Sequence, residues 1–94
     1  MSAHKMLIGG QWVDSENGET SNVINPANDE VIATVPKATI QDVENCISAS
    51  RTAFLDSSWK KMDPAQRGRI LNKMAAATYS SAKELAIIES ENNG

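Results

Sequence analysis

The chain has 94 residues, of which 40% are hydrophobic and 22% charged, with a formal net charge of −3, one cysteine and one histidine. That length suits one modest domain or part of a larger one, burying roughly 60–65% of its unfolded surface, so a missing neighbour would be felt as marginal stability. The acidic balance argues against nucleic acid or an anionic membrane as a partner reached by bulk attraction, and Cys46 and His4 are too few for a disulfide, a thiol–imidazole pair or a multi-ligand zinc site.

After a polar start, Met6-Leu7-Ile8 and Gln11-Trp12-Val13 are short strand candidates joined by Gly9-Gly10, which supplies the positive φ angles of a tight hairpin. The apolar run at Met6 to Ile8 is too short for a signal-peptide core, and no stretch is long enough to cross a bilayer, so a reducing, cytoplasmic setting is expected. Trp12 is expected to anchor the core of this corner. Asp14 to Thr20 reads as a polar loop turning at Asn17-Gly18.

The stretch from Asn22 to Pro36 is a second hairpin. Two β-branched runs, Val23-Ile24 and Val31 to Val35, flank the turn formers Asn25, Pro26, Asn28 and Asp29. Val31, Ala33 and Val35 alternate with Ile32 and Thr34, so both faces are partly apolar and both need cover.

Thr39 reads as a helix N-cap, with Asp42 placing a carboxylate near the positive end of the first helix. Ile40, Val43, Ile47 and Phe54, flanked by Cys46, Ala49 and Ala53, form a stripe expected to be buried through to about Leu55. A connector runs from Asp56 to Met62. Asp63-Pro64-Ala65-Gln66 then carries the marks of a second helix start, a capping box with proline at the first helical position. Ile70, Leu71, Met74 and Ala75 share its apolar face. Gly68 near its start has no evident local reason. Ser81 to Glu84 reads as a further capping box opening a third helix, with Leu85, Ala86 and Ile88 inward and Asn92-Asn93-Gly94 as its stop.

Little here points to chemistry. Cys46 lies mid-helix beside the apolar stripe, where burial is the expected fate, and the lone His4 falls in an N-terminus expected to fray. The five glycines lack the spacing of a dinucleotide fingerprint or a phosphate loop. Asp42 and Glu44, or Glu89 and Glu91, stand two apart on a helix and point away from each other. The cations Lys60, Lys61, Arg67, Arg69 and Lys73 have no interleaved aromatics and read as a solvated face.

Taken in order, Leu7 to Val13, Val23 to Ala27, Glu30 to Pro36, Asp42-Val43-Glu44, Trp59 with Met62, Arg67 to Leu71 and Glu84 to Gly94 resemble the N-terminus of the NAD(P)-dependent aldehyde dehydrogenase superfamily. No single piece is specific; the ordered set is. The resemblance implies an α/β fragment of two N-terminal β-hairpins (about 6–35) followed by three amphipathic helices (about 40–55, 64–80 and 82–92). It would be the peripheral layer of an NAD-binding Rossmann domain, with the catalytic and oligomerisation regions absent. It also implies an enzyme that oxidises an aldehyde to a carboxylic acid with NAD or NADP through a cysteine thioester. The family's catalytic and cofactor-binding motifs have no counterpart in these residues, so the 94-residue chain alone is expected to be inactive and to hold no cofactor.

By the same resemblance the expected partners are the remainder of the chain, a small aldehyde and, for the complete enzyme, further copies of itself. Many members are similar in holding a monovalent cation, and the matching contacts would be the backbone carbonyls of Val23 and Ile24 with Asn92. Asn92 stands where an acidic residue is usual, which keeps an oxygen but removes a charge. Asp29 stands where glycine is common, and aspartate tolerates the left-handed conformation better than most residues. The competing expectation is a self-standing interaction module presenting Ile70, Leu71, Met74 and Leu85 to a partner protein.

Overall fold

The computed structural model describes residues 2–94. Its elements run β1 (Ser2–Ala3), β2 (Met6–Ile8), β3 (Gln11–Val13), β4 (Thr20–Ile24), β5 (Val31–Pro36), α1 (Ile40–Asp56), α2 (Ser58–Lys61), α3 (Pro64–Ser80) and α4 (Ala82–Asn93). This is the expected succession of two hairpins and three long helices. Two additions are the short strand β1 and the single helical turn α2 within the connector. No helix among the described residues is long and apolar enough to cross a membrane.

The first hairpin pairs Met6 with Val13 and Ile8 with Gln11. Gly9 and Gly10 close it with φ of 58° and 77°, angles that L side chains adopt at a cost. In the second, β4 pairs antiparallel with β5, and Asp29 carries the turn at φ 59°. The turn is braced by Asn25: its side-chain oxygen accepts Ala27 N–H at 2.9 Å, its carbonyl accepts Asp29 N–H at 2.9 Å, and its own N–H donates to Glu30 O at 2.9 Å.

The N-terminus does not fray as expected. Ser2 and Ala3 lie parallel to Ala33 and Thr34, and His4 N–H donates to Thr34 O at 3.0 Å, giving a three-stranded sheet in the order β1-β5-β4. A strand of two small residues carries no local signal, since its pairing is entirely non-local.

Helix α1 starts as its residues dictate. Thr39 Oγ1 accepts Asp42 N–H at 3.1 Å while the Asp42 carboxylate accepts Thr39 N–H at 2.9 Å, a reciprocal box that satisfies two otherwise orphaned donors. At α3 the same exchange joins Asp63 and Gln66 at 2.9 and 3.1 Å, with Pro64 at the first position. The third expected box is absent. Ser81 makes no side-chain cap, because its φ of −101° and ψ of 13° are not the extended values a capping residue needs, and its N–H is still engaged by Ala77 and Thr78 of α3. Helices α3 and α4 are thus nearly continuous through this residue.

The molecule is an open slab of 48 × 35 × 15 Å. Its radius of gyration is 16.9 Å, where a compact chain of this length would have about 12 Å. Its accessible surface is 7488 Å², roughly 2,200 Å² more than a compact monomer of its mass exposes. The only buried hydrophobic residue among those described is Ala33, at 8% exposure.

Two expectations are corrected by this openness. The α1 stripe faces outward, with Phe54 71% exposed and Ile40, Val43 and Ile47 likewise uncovered, and Cys46 beside it is exposed rather than buried. Trp12, expected as a core anchor, is 67% exposed. Periodicity identified these as apolar faces correctly; what it does not contain is the body that would lie on them.

Candidate functional site

Three places bring distant parts of the chain together with polar groups. The first is the N-terminus of α1. Asp42, 5% exposed, accepts Glu16 N–H with both carboxylate oxygens at 3.2 Å as well as Thr39 N–H, and Thr39 Oγ1 lies 3.1 Å from Glu16 Oε2. The hydrogen bond from the Thr39 backbone holds the carboxyl below the ordinary aspartate range; burial opposes this, and the Glu16 backbone and the Thr39 hydroxyl reinforce it. The loop that this carboxylate grips is ordered from within: Ser15 Oγ lies 3.0 Å from Glu19 O, and Asn17 Oδ1 accepts Glu19 N–H at 3.0 Å. These are fixed acceptors meeting fixed donors, a structural clamp rather than a reactive group. Only the helix-cap half of it was legible from local spacing.

The second is the hollow where α4 crosses the sheet. Ser2, His4, Ile32, Ala33, Ile88 and Asn92, together with Glu84 and Glu91, line about 270 Å³ there. Val23, half-buried, is the register partner of Ala33, and Ile24 faces Val31, so the ladder slips between Val23 and Ile24 and Ile32 is left over. Asn92 donates its side-chain amide to Ile88 O at 2.8 Å, which leaves its oxygen uncommitted. Asn92 thus lines the hollow with β1 and β5, while Val23 and Ile24 lie on β4, the strand paired with β5, and are not among the residues lining it.

The third explains how that end is closed. Gly94, at φ 74°, comes so near the turn after β4 that a Cβ on it would lie 3.1 Å from Pro26 Cγ and 3.3 Å from Ala27 N. Sequence reasoning saw Gly94 as a helix stop and had no signal for the approach.

Among the described residues no group of three or more His, Cys, Asp or Glu side chains is arranged to share a metal ion. Besides the Asn92 amide, the side-chain oxygens lining the hollow are those of Ser2, Glu84 and Glu91. Cys46 borders a shallow depression with Leu7, Ile8, Gly9 and Ala49, with no histidine or carboxylate among its lining residues.

The sequence profile described as the aldehyde dehydrogenase family matches residues 12–94. Among known proteins, the chain is 37% identical over 91 residues to phenylacetaldehyde dehydrogenase of Pseudomonas fluorescens, covering 97% of this chain and 18% of that one. It is 41% identical over 91 residues to aldehyde dehydrogenase 1A1 of Rattus norvegicus, covering 96% and 18%. Among solved structures, it superposes on NAD-dependent aldehyde dehydrogenase from Sinorhizobium meliloti with a TM-score of 0.90 at 36% identity, covering 95% of this chain and 18% of that one. For the NAD+ complex of aldehyde dehydrogenase from Bacillus cereus the TM-score is 0.93 at 34% identity, covering 98% and 19%. The chain thus spans less than a fifth of the length of these relatives.

Proposed function

The chain belongs to the aldehyde dehydrogenase family, and from that premise we propose that its 94 residues are the N-terminal part of the NAD-binding domain of an enzyme that oxidises an aldehyde to a carboxylic acid. The observation that carries this reading is a fold matched over nearly the whole chain, together with apolar faces left uncovered on both hairpins and helices. In the complete protein a downstream cysteine attacks the aldehyde carbon, and the thioester left after oxidation is hydrolysed to the acid. NAD or NADP, held by downstream chain, supplies the hydride acceptor. These residues hold none of the reacting groups; their part is to brace the cofactor-binding body from outside, and alone they are inactive.

The reading extends to surroundings. The enzyme is cytoplasmic and assembles as a homo-oligomer. Val23 and Ile24 carbonyls, with Asn92, contact a monovalent cation whose hold is weak, because Asn92 contributes a dipole where a carboxylate would contribute a charge. The test is direct: the full-length protein reduces NAD+ or NADP+ when an aldehyde is added, and the isolated 94 residues do not. Aldehyde-dependent turnover by the isolated segment would refute the division of labour, and failure of the full-length protein on a panel of aliphatic and aromatic aldehydes would refute the activity.

A further inference from the structure

The end of α4 sits directly on the turn of the second hairpin, with a Cβ at Gly94 meeting Pro26 and Ala27 at 3.1 and 3.3 Å. We propose that Gly94 is a positioning residue, setting Asn92 in the hollow beside Ile32 and Ala33 by resting the helix terminus directly on the Pro26–Ala27 turn. This rests on the cation reading for what the placement achieves, and on geometry alone for the placement itself.

Two independent features of Gly94 disfavour a side chain. Its φ of 74° lies in the left-handed region, which a β-carbon disfavours. Its would-be Cβ meets Pro26 Cγ at 3.1 Å, Ala27 N at 3.3 Å and Ala27 Cβ at 3.6 Å. The wall it meets cannot give way easily. Pro26 is a ring with a fixed φ, and Ala27 N–H is held by the Asn25 side chain at 2.9 Å inside a turn that Asn25 braces through three further backbone hydrogen bonds, to Asn28, Asp29 and Glu30. The braced turn therefore shifts the adjustment onto the helix end. Gly94 N–H still donates to Ser90 O at 2.9 Å, so the residue is coupled to the last turn of α4, the turn that carries Asn92. Displacing Gly94 shifts Asn92 in the hollow it lines with Ser2, Ile32 and Ala33.

The experiment uses the full-length protein and two variants, Gly94→Ala and Gly94→Asn. Asparagine tolerates the left-handed conformation, so it relieves the backbone conflict and leaves the close approach; if approach matters, both variants are impaired. Hydrogen exchange is read at residues 25–30 and 88–94, and thermal stabilisation by potassium is compared with choline at equal ionic strength. The expected result is faster exchange in both segments together and a potassium midpoint raised at least about fivefold in both variants. Unchanged exchange in both, or an asparagine variant indistinguishable from the parent, overturns the seat. If the parent itself shows no preference for potassium over choline, the cation reading fails, while the exchange measurement still decides whether Gly94 holds the helix end in place.

Discussion

The carboxylate of Asp42 accepts the backbone N–H of Glu16 with both oxygens at 3.2 Å, across 26 positions of sequence. Together with the Thr39 hydroxyl, which donates to Glu16 Oε2 at 3.1 Å, it ties the loop after the first hairpin to the helix after the second. The same carboxylate accepts Thr39 N–H in the cap, so losing Asp42 costs both the cap and the clamp.

Replacing Asp42 with alanine should release both partners. Fast exchange at Glu16 N–H and a lowered melting temperature are the expected outcome. Thr39→Ala removes only the capping hydroxyl and should destabilise by about 1 kcal/mol, with Glu16 still protected. Equal exchange at Glu16 in the two variants would contradict the clamp.

The clamp also predicts a pH dependence. The folded Asp42 carboxyl titrates below its unfolded counterpart, so between the two values the unfolded chain binds more protons and stability rises with pH. The contribution is fully present above about pH 4 and is lost as pH falls through the depressed folded value. Denaturant unfolding followed down the acid limb should show a shallower fall for Asp42→Ala than for the parent; parallel curves would contradict the assignment.

The two helix starts should respond differently to the same kind of substitution. Asp63 caps α3 through Gln66 N–H at 2.9 Å, and Asp63→Ala should cost about 1 kcal/mol. Ser81 makes no side-chain cap, and Ser81→Ala should stay within about 0.5 kcal/mol of the parent. Chemical denaturation of the two variants side by side checks the contrast.

Gly68 lies within α3 with open space where a Cβ would stand. In the isolated segment Gly68→Ala should therefore stabilise the helix by up to about 1 kcal/mol, seen as increased helical circular dichroism. If the same substitution destabilises the full-length protein, a neighbour from the downstream chain occupies that space.

Much of the architecture was legible in short windows. Gly9-Gly10 and Asn25 to Asp29 specify their turns through the φ angles and side-chain acceptors they supply, and Thr39 and Asp63 announce helix starts because cap and third residue satisfy each other's backbone. What stayed illegible is non-local. The pairing of Ser2-Ala3 with β5, the grip of Asp42 on Glu16 and the approach of Gly94 to Pro26 each join residues whose sequence separation leaves no periodic trace. At Ser81 the window misled, because α3 runs on into the capping position. For the candidate cation contacts, Val23, Ile24 and Asn92 came from resemblance alone.

The central claim is that the outward faces of α1, α3 and the hairpins are shaped to lie against chain beyond residue 94. Scanning calorimetry of the purified 94-residue segment tests it most directly. The account predicts no sharp unfolding transition for a monomer: a broad, low-enthalpy melt, or one whose midpoint moves with concentration as exposed faces find one another. A sharp transition at the same temperature across a wide range of dilution, with the enthalpy of a fully packed domain of this size, would contradict it.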